Sequence, residues 1–291
     1  METRLLFVHA LSPLHPGTGQ GTGVIDLPIA REKSTGIPYL PGSSLKGVLR
    51  DRCSDEPIRT VLFGPDRIAA NSEAAAGALQ LTDQRLLLFP VRSIAGTFAW
   101  VTSPYIWHRF ARDARDIGVS IPTLPVNAYP TFTNILTASE TALVATGQTV
   151  YLEDLDLQCT TDVAAKARVT EWGTWVAGQL FPGEDTTFLT KRLAIVHDDV
   201  MTFLLTNATE VIARIKLQED TKTVQQGGLW YEEALPSESI LSGLVIANTT
   251  PSQVHIVNEL EKLIRQTMQL GGKSTIGRGL CRVTLSTEGT K

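Results

Sequence analysis

Cysteine is scarce. Cys53, Cys159 and Cys281 are the chain's three, far apart and without metal-ligand spacing. Such a set excludes a disulfide framework and a cysteine-held metal, and it points to a reducing compartment. Long apolar runs are missing too: no stretch of about 18 apolar residues exists, so no helix is expected to span a bilayer. Met1-Glu2-Thr3-Arg4-Leu5 shows no basic segment followed by an apolar one. No secretory signal is visible, and the expected location is the cytoplasm. Positive charge is also short, with 26 Lys and Arg against 30 Asp and Glu, a net charge of −4. A stand-alone nucleic-acid binder is usually basic. Any nucleic acid must therefore meet a local basic surface, or share its charge among several subunits.

The 291 residues are 43% hydrophobic and 19% charged, ordinary for a globular chain and enough for one large domain with insertions or two small ones. The densest signal lies near the end. Leu270-Gly271-Gly272-Lys273-Ser274-Thr275-Ile276-Gly277-Arg278-Gly279 packs four glycines, two cations and two hydroxyls into ten residues. Glycines of this density permit positive φ and close backbone approach. Exposed amides beside Lys273 and Arg278 suit an oxyanion such as phosphate. A nucleotide-binding P-loop is excluded by order and spacing: its first glycine would fall at Thr267, and here a helix pattern precedes the loop and a strand pattern follows. A plain helix-to-strand turn and a clamp on a nucleic-acid backbone remain.

Earlier in the chain, Arg4–Leu11 reads as a core strand. The Gly- and Pro-rich segment 12–37 is too long for a turn, and it carries His15, Asp26, Arg31, Glu32 and Lys33. Ser43 or Ser44 then caps a helix whose apolar side holds Leu45, Val48 and Leu49. Lys46 and Arg50, four apart, share a face of it. Two serines, two cations and free helix amides read equally as an ordinary capped helix or as a second phosphate site.

Next, VLFGPD reads as a short strand and turn, and 78–82 and 85–91 as strands. Residues 104–118 read as a helix opened by Pro104, its basic face solvated. Residues 149–156 form a strand and 162–180 a helix. Segments 192–196 and 199–205 read as two strands joined at His197-Asp198. Residues 213–241 carry a hairpin signal with a polar tip at 219–226, its second strand resuming at Leu229-Trp230-Tyr231 before Glu232 and Glu233. Such a hairpin either stacks its aromatics on bases or buries them in its own base. A buried strand over 239–247, a capping-box helix over 251–270 and a strand over 280–285 complete the chain.

Three motifs together, the glycine-rich first loop, Pro41-Gly42-Ser43-Ser44-Leu45-Lys46-Gly47 and the terminal glycine loop, resemble the RAMP superfamily of CRISPR proteins. More narrowly, His15-Pro16-Gly17-Thr18-Gly19 followed by Ile25-Asp26-Leu27-Pro28-Ile29-Ala30-Arg31-Glu32 resembles the repeated backbone subunit of the type III-B (Cmr) effector. The resemblance runs from the first strand to the last glycine loop.

It implies an α+β fold: a ferredoxin-like (RRM-like) palm over about 1–102 and 191–291, inserted elements over about 103–190, and a thumb hairpin over about 213–238, all in one RAMP domain. It implies a subunit that stacks with further copies of itself and other Cmr-module subunits along a guide RNA (crRNA), and that cuts bound target single-stranded RNA at regular intervals. Ser43, Ser44, Lys46, Arg50, Gly271, Gly272, Lys273, Ser274 and Arg278 are the expected grip on guide phosphates. Trp230 and Tyr231 belong to the expected thumb, with Glu232 or Glu233 a second carboxylate offered to a neighbour. Asp26 falls at the family's catalytic aspartate, as general base or ligand of Mg²⁺ or another divalent cation, and His15 as a positioning or proton-transfer group. Two rival readings stay open: a non-catalytic guide-RNA-binding subunit, and a metal-free endoribonuclease that processes guide precursors.

Overall fold

The computed structural model describes the chain except residues 22, 66–75, 125–127, 184, 250–253 and 291, and the side chains of 288–290. The expected capping box at 250–253 and most of the Ala-rich link at 73–77 lie outside the described residues. In chain order the elements are β1 (Glu2–Ala10), β2 (Tyr39–Leu40), α1 (Gly42–Arg52), α2 (Glu56–Phe63), β3 (Leu79–Leu81), β4 (Gln84–Arg92), β5 (Phe98–Thr102), α3 (Pro104–Asp116), β6 (Asn134–Thr137), β7 (Val144–Thr146), β8 (Thr149–Leu152), β9 (Leu155–Cys159), α4 (Val163–Leu180), α5 (Thr187–Thr190), β10 (Leu193–Ile195), α6 (Asp198–Asn207), β11 (Glu210–Leu217), β12 (Val224–Ala234), β13 (Ile240–Ala247), α7 (Ile256–Ile264), β14 (Met268–Gln269) and β15 (Leu280–Thr290).

One mixed sheet runs β14-β15-β1-β13-β4-β5-β10-β6-β9-β8-β7, with β2 on β4 and β3 on β13. β1 lies at its heart, antiparallel to both β13 and β15. Leu5, Leu6, Phe7 and Val8 have no exposed surface. Consecutive buried residues mean that both faces of the strand are covered. Each such side chain contributes about 2 kcal/mol by leaving water. Phe7 meets Phe110 of α3. α1 packs on α2 and α7. β11 and β12 form a separate two-stranded sheet.

Several expectations are corrected. Segment 199–205 is not a strand but most of α6. Val200, Met201, Leu204 and Leu205 are its buried residues, a helical spacing, and His197 caps it by accepting from the Asp199 amide. Val61-Leu62-Phe63, the start of VLFGPD, is not a strand: it ends α2, which Asp55 caps through the Ile58 amide and Gly64 closes at φ 89°. The 149–156 strand is a hairpin, β8 to β9. The last helix stops at Ile264, and Met268 belongs instead to β14, paired with Cys281. α1 is capped by neither serine. Its N-cap is Pro41, and Ser43 and Ser44 sit inside the first turn.

Candidate active site

The 12–37 segment doubles back on itself. Gly17 pairs with Ile29, and the Ala30 amide donates to the Pro16 carbonyl at 2.8 Å. It then lies along β12: the Leu27 amide donates to the Tyr231 carbonyl and the Glu233 amide to the Leu27 carbonyl, both at 3.0 Å. This pairing brings Asp26, exposed, beside the hairpin, where its Oδ2 accepts from the Tyr231 amide at 2.7 Å. Asp26, Gln20, Leu27, Trp230 and Lys273 line one open groove of about 450 Å³. A carboxylate, a cation and an indole thus face one space.

Lys273 reaches the groove because its loop is locked. The residue itself takes the left-handed conformation, φ 66°. Its Nζ donates to Oε1 of Glu232 at 2.9 Å, and the Trp230 indole N–H donates to the same oxygen at 2.8 Å. Arg214 lies 3.5 Å from the other oxygen. Glu232 is only 3% exposed. Burial pushes its carboxyl up, but the Lys273 and Trp230 hydrogen bonds, with the charges of Lys273 and Arg214, outweigh it and hold the group below the usual glutamate range.

Glu233 is buried as well. It accepts from the Ile29 amide at 3.1 Å, from Arg31 at 2.6 Å and from the Thr209 hydroxyl at 3.0 Å. In the single chain both glutamates, expected as free carboxylates of the hairpin, are buried and hydrogen-bonded internally. Nearby, Glu32 and Arg109 of α3 form a two-pronged pair that holds the Glu32 carboxyl below its usual range. Arg109 is thus not part of a merely solvated basic face.

Other expected residues move inward. His15 is buried, its Nδ1 2.6 Å from the Glu233 carbonyl, which can only accept, so the proton is assigned to Nδ1. Its own carbonyl accepts from Gly272 at 2.9 Å. Through these two bonds it braces the two glycine loops. Arg278 is buried and 3.5 Å from Glu210, so it does not reach the surface as a phosphate grip. Arg50 donates to the Gly64 carbonyl at 2.9 Å. Ser43 and Ser274 through Gly277 are exposed, and Ser44, Lys46 and Gly271 are half-buried. The two expected phosphate sites therefore keep serines, amides and Lys46 at the surface. The cysteines are buried, and burial pushes the Cys281 thiol up to about 12, too high for a nucleophile.

The hairpin carries Trp230 half-buried and Tyr231 exposed. Val211, Ala213 and Ile215 of β11 stand on one face with Tyr231 and Leu229 of β12, and Val211, Ile215, Leu229 and Tyr231 are exposed. The opposite face holds Arg214, Trp230 and Glu232. The alternating pattern pointed to the hairpin. The assignment of its two glutamates had no spacing signal.

A curled mixed sheet with a separate two-stranded hairpin defines an α+β class, and similarity to known proteins gives the family. The RAMP superfamily profile matches residues 7–282. The chain belongs to that superfamily. It is 35% identical, over 98% of its length and 96% of the relative's, to the CRISPR system Cmr endoribonuclease Cmr4 of Pyrococcus furiosus. Among solved structures, oligomeric Cmr4 from the same organism superposes with a TM-score of 0.76 at 28% identity, covering 98% of each chain. A chain of the type III-B Cmr-beta complex bound to cognate target RNA shares the fold, with a TM-score of 0.72 at 19% identity over 97% of this chain and 96% of that one. Among the described residues, no helix is long and apolar enough to cross a membrane.

Proposed function

We propose that the chain is a repeated backbone subunit of a type III-B RNA-guided complex, binding guide RNA in a stack of its own copies beside other Cmr-module subunits in the cytoplasm, and cutting the bound target RNA. The observation that carries this reading is the groove: the exposed Asp26 carboxylate, oriented by the Tyr231 amide, shares it with a cation. The relative named an endoribonuclease supports the activity.

The sheet supports the finer fold reading. β15-β1-β13-β4 is antiparallel, with α1 between β1 and β4 and α7 between β13 and β15. That order and connectivity fit a ferredoxin-like palm, with the separate β11–β12 sheet in the place of a thumb. Exposed Ser43 and Ser274 and half-buried Lys46 suit guide phosphates, held by shape and charge while base pairing reads the target.

In cleavage, Asp26 accepts the proton of the ribose 2′-OH beside the scissile phosphate. A divalent cation fits a one-carboxylate groove only where substrate oxygens complete its shell, as Mg²⁺ commonly allows. When bound it would supply Lewis-acid charge stabilisation, with Asp26 as its protein ligand. Among the described residues no group of three or more His, Cys, Asp or Glu side chains is placed to hold a metal. Asp26→Ala tests the assignment. In the assembled, guide-loaded particle, target cleavage should fall by at least about 100-fold with guide and target affinity unchanged. Cleavage at the original rate would leave only a structural RNA-binding subunit.

A further inference from the structure

We infer that Lys273 is a second catalytic residue, its ammonium stabilising the charge that develops on the scissile phosphate, and not one of the grips on the guide strand. This rests on the reading of the groove given above. Of the glycine loop's two cations, Arg278 is buried against Glu210. Lys273 alone turns into the groove that Asp26 lines. The part of the loop suited to an extended strand is the exposed turn 274–277, whose residues carry no cation.

The direction of Lys273 is fixed from several sides. Its backbone is left-handed, and the Leu270 amide closes the loop by donating to the Gly279 carbonyl at 2.8 Å. The buried Glu232 carboxylate takes one ammonium hydrogen at 2.9 Å. An ammonium has three donors, so two remain for a ligand. Glu232 also keeps Lys273 from collapsing onto Asp26, which would neutralise the base. Trp230, tied to the same oxygen, walls the groove beside them.

The chemistry then balances. Asp26 takes the 2′-OH proton, the 2′-oxygen bonds to phosphorus, the bond from phosphorus to the 5′-oxygen breaks, and solvent protonates that oxygen. A 2′,3′-cyclic phosphate and a 5′-hydroxyl result. Between these ends the phosphorane carries one extra negative charge on its non-bridging oxygens. A pre-oriented point cation stabilises that charge more than the ground state, which is what accelerates a reaction.

The test uses the assembled guide-loaded particle under single-turnover conditions with saturating target. Lys273→Met should slow cleavage about 100-fold while guide and target affinities stay unchanged. Lys273→Arg, which keeps the charge, should recover part of the loss. With sulfur replacing one non-bridging oxygen at the scissile phosphate, the gap between the original protein and Lys273→Met should shrink about tenfold for one diastereomer only. An unchanged cleavage rate, an equal gap for oxygen and both sulfur substrates, or a loss of guide binding in both variants overturns the assignment. Asp26→Ala measured alongside separates the two readings. If it cuts normally the groove is not the cleavage site, whereas if it is inactive and Lys273→Met is normal only the role of Lys273 falls.

Discussion

The two glycine-rich loops meet at His15, yet they are ordered by different means. The terminal loop is held mainly by backbone, with Lys273 on Glu232 and Gln269 on two loop carbonyls as its side-chain ties: glycines press against carbonyls, and Gly272 and Gly279 exchange main-chain hydrogen bonds with His15, Pro13 and Leu270. The first loop is held largely by side chains from elsewhere, chiefly Glu233 through Ile29 and Arg31, and Arg109 through Glu32. Similar composition thus gives one segment whose geometry is steric and one whose geometry is electrostatic. The steric loop should fail with any atom added at its packed glycines, and those contacts should ignore pH and salt. The electrostatic loop should tolerate volume better and respond to charge. Each bears one of the two groups assigned to cleavage, Lys273 and Asp26.

The largest effect expected from this contrast comes at Gly279. It sits at φ 75°, and a Cβ there would collide with the Leu270 carbonyl. Gly279→Ala should cost about 3 kcal/mol in urea unfolding, with the loss independent of salt. A loss below about 1 kcal/mol would mean that the loop yields and is not sterically fixed.

Glu233→Ala attacks the other loop. It leaves the Arg31 guanidinium without its carboxylate and removes the acceptor of the Ile29 amide. Arg31 is partly exposed, so solvent takes up some of the loss, and the cost should be about 2 kcal/mol. Its sharper consequence is local. Asp26 loses its registration against the Tyr231 amide, so cleavage should drop while guide affinity holds. Amide hydrogen exchange at Tyr231 should quicken at the same time. Slower cleavage with Tyr231 protection intact would show that Glu233 is not what places Asp26.

What the sequence reveals follows the same line. β1, β4 and the β11–β12 hairpin were legible because strands alternate or run apolar between turn residues. The helices α3 and α4 were legible because their periods are long enough to show. α6 was misread because its apolar residues cluster so tightly that a ten-residue helix passes for a strand when its Asp-rich start is taken for a turn. Lys273 stood out by the composition of its loop, and Asp26 only by the family resemblance of the segment that carries it. Their partners did not: Glu232 lies 41 residues from Lys273, and Glu233 lies 202 from Arg31. Ion pairs closed by tertiary folding leave no periodic trace, so Glu232 and Glu233 looked like free carboxylates and Arg278 like a free cation.

The smallest effect expected is a pH dependence at Glu32 of the first loop. Hydrogen bonds from Arg109 hold Glu32 below the ordinary glutamate value of 4.5, against an opposing push from burial. A carboxyl depressed on folding stabilises the folded state fully above its unfolded value, and the gain disappears as pH falls through the folded one. The pair is near the surface, so about 1 kcal/mol should be lost on acidification from pH 6 to below 4. Arg109→Met should lower stability at pH 6 by about that amount and flatten this limb of the curve, because the Thr35 hydroxyl and the charge of Arg85 are then all that favour the charged form against burial. The glycine contacts of the terminal loop do not titrate, although its Lys273 helps hold Glu232 below the usual glutamate range: Gly279→Ala should shift the whole curve down without changing its slope below pH 5. Parallel acid limbs in the original protein and Arg109→Met would place the acid sensitivity elsewhere, and would make the first loop as steric as the second.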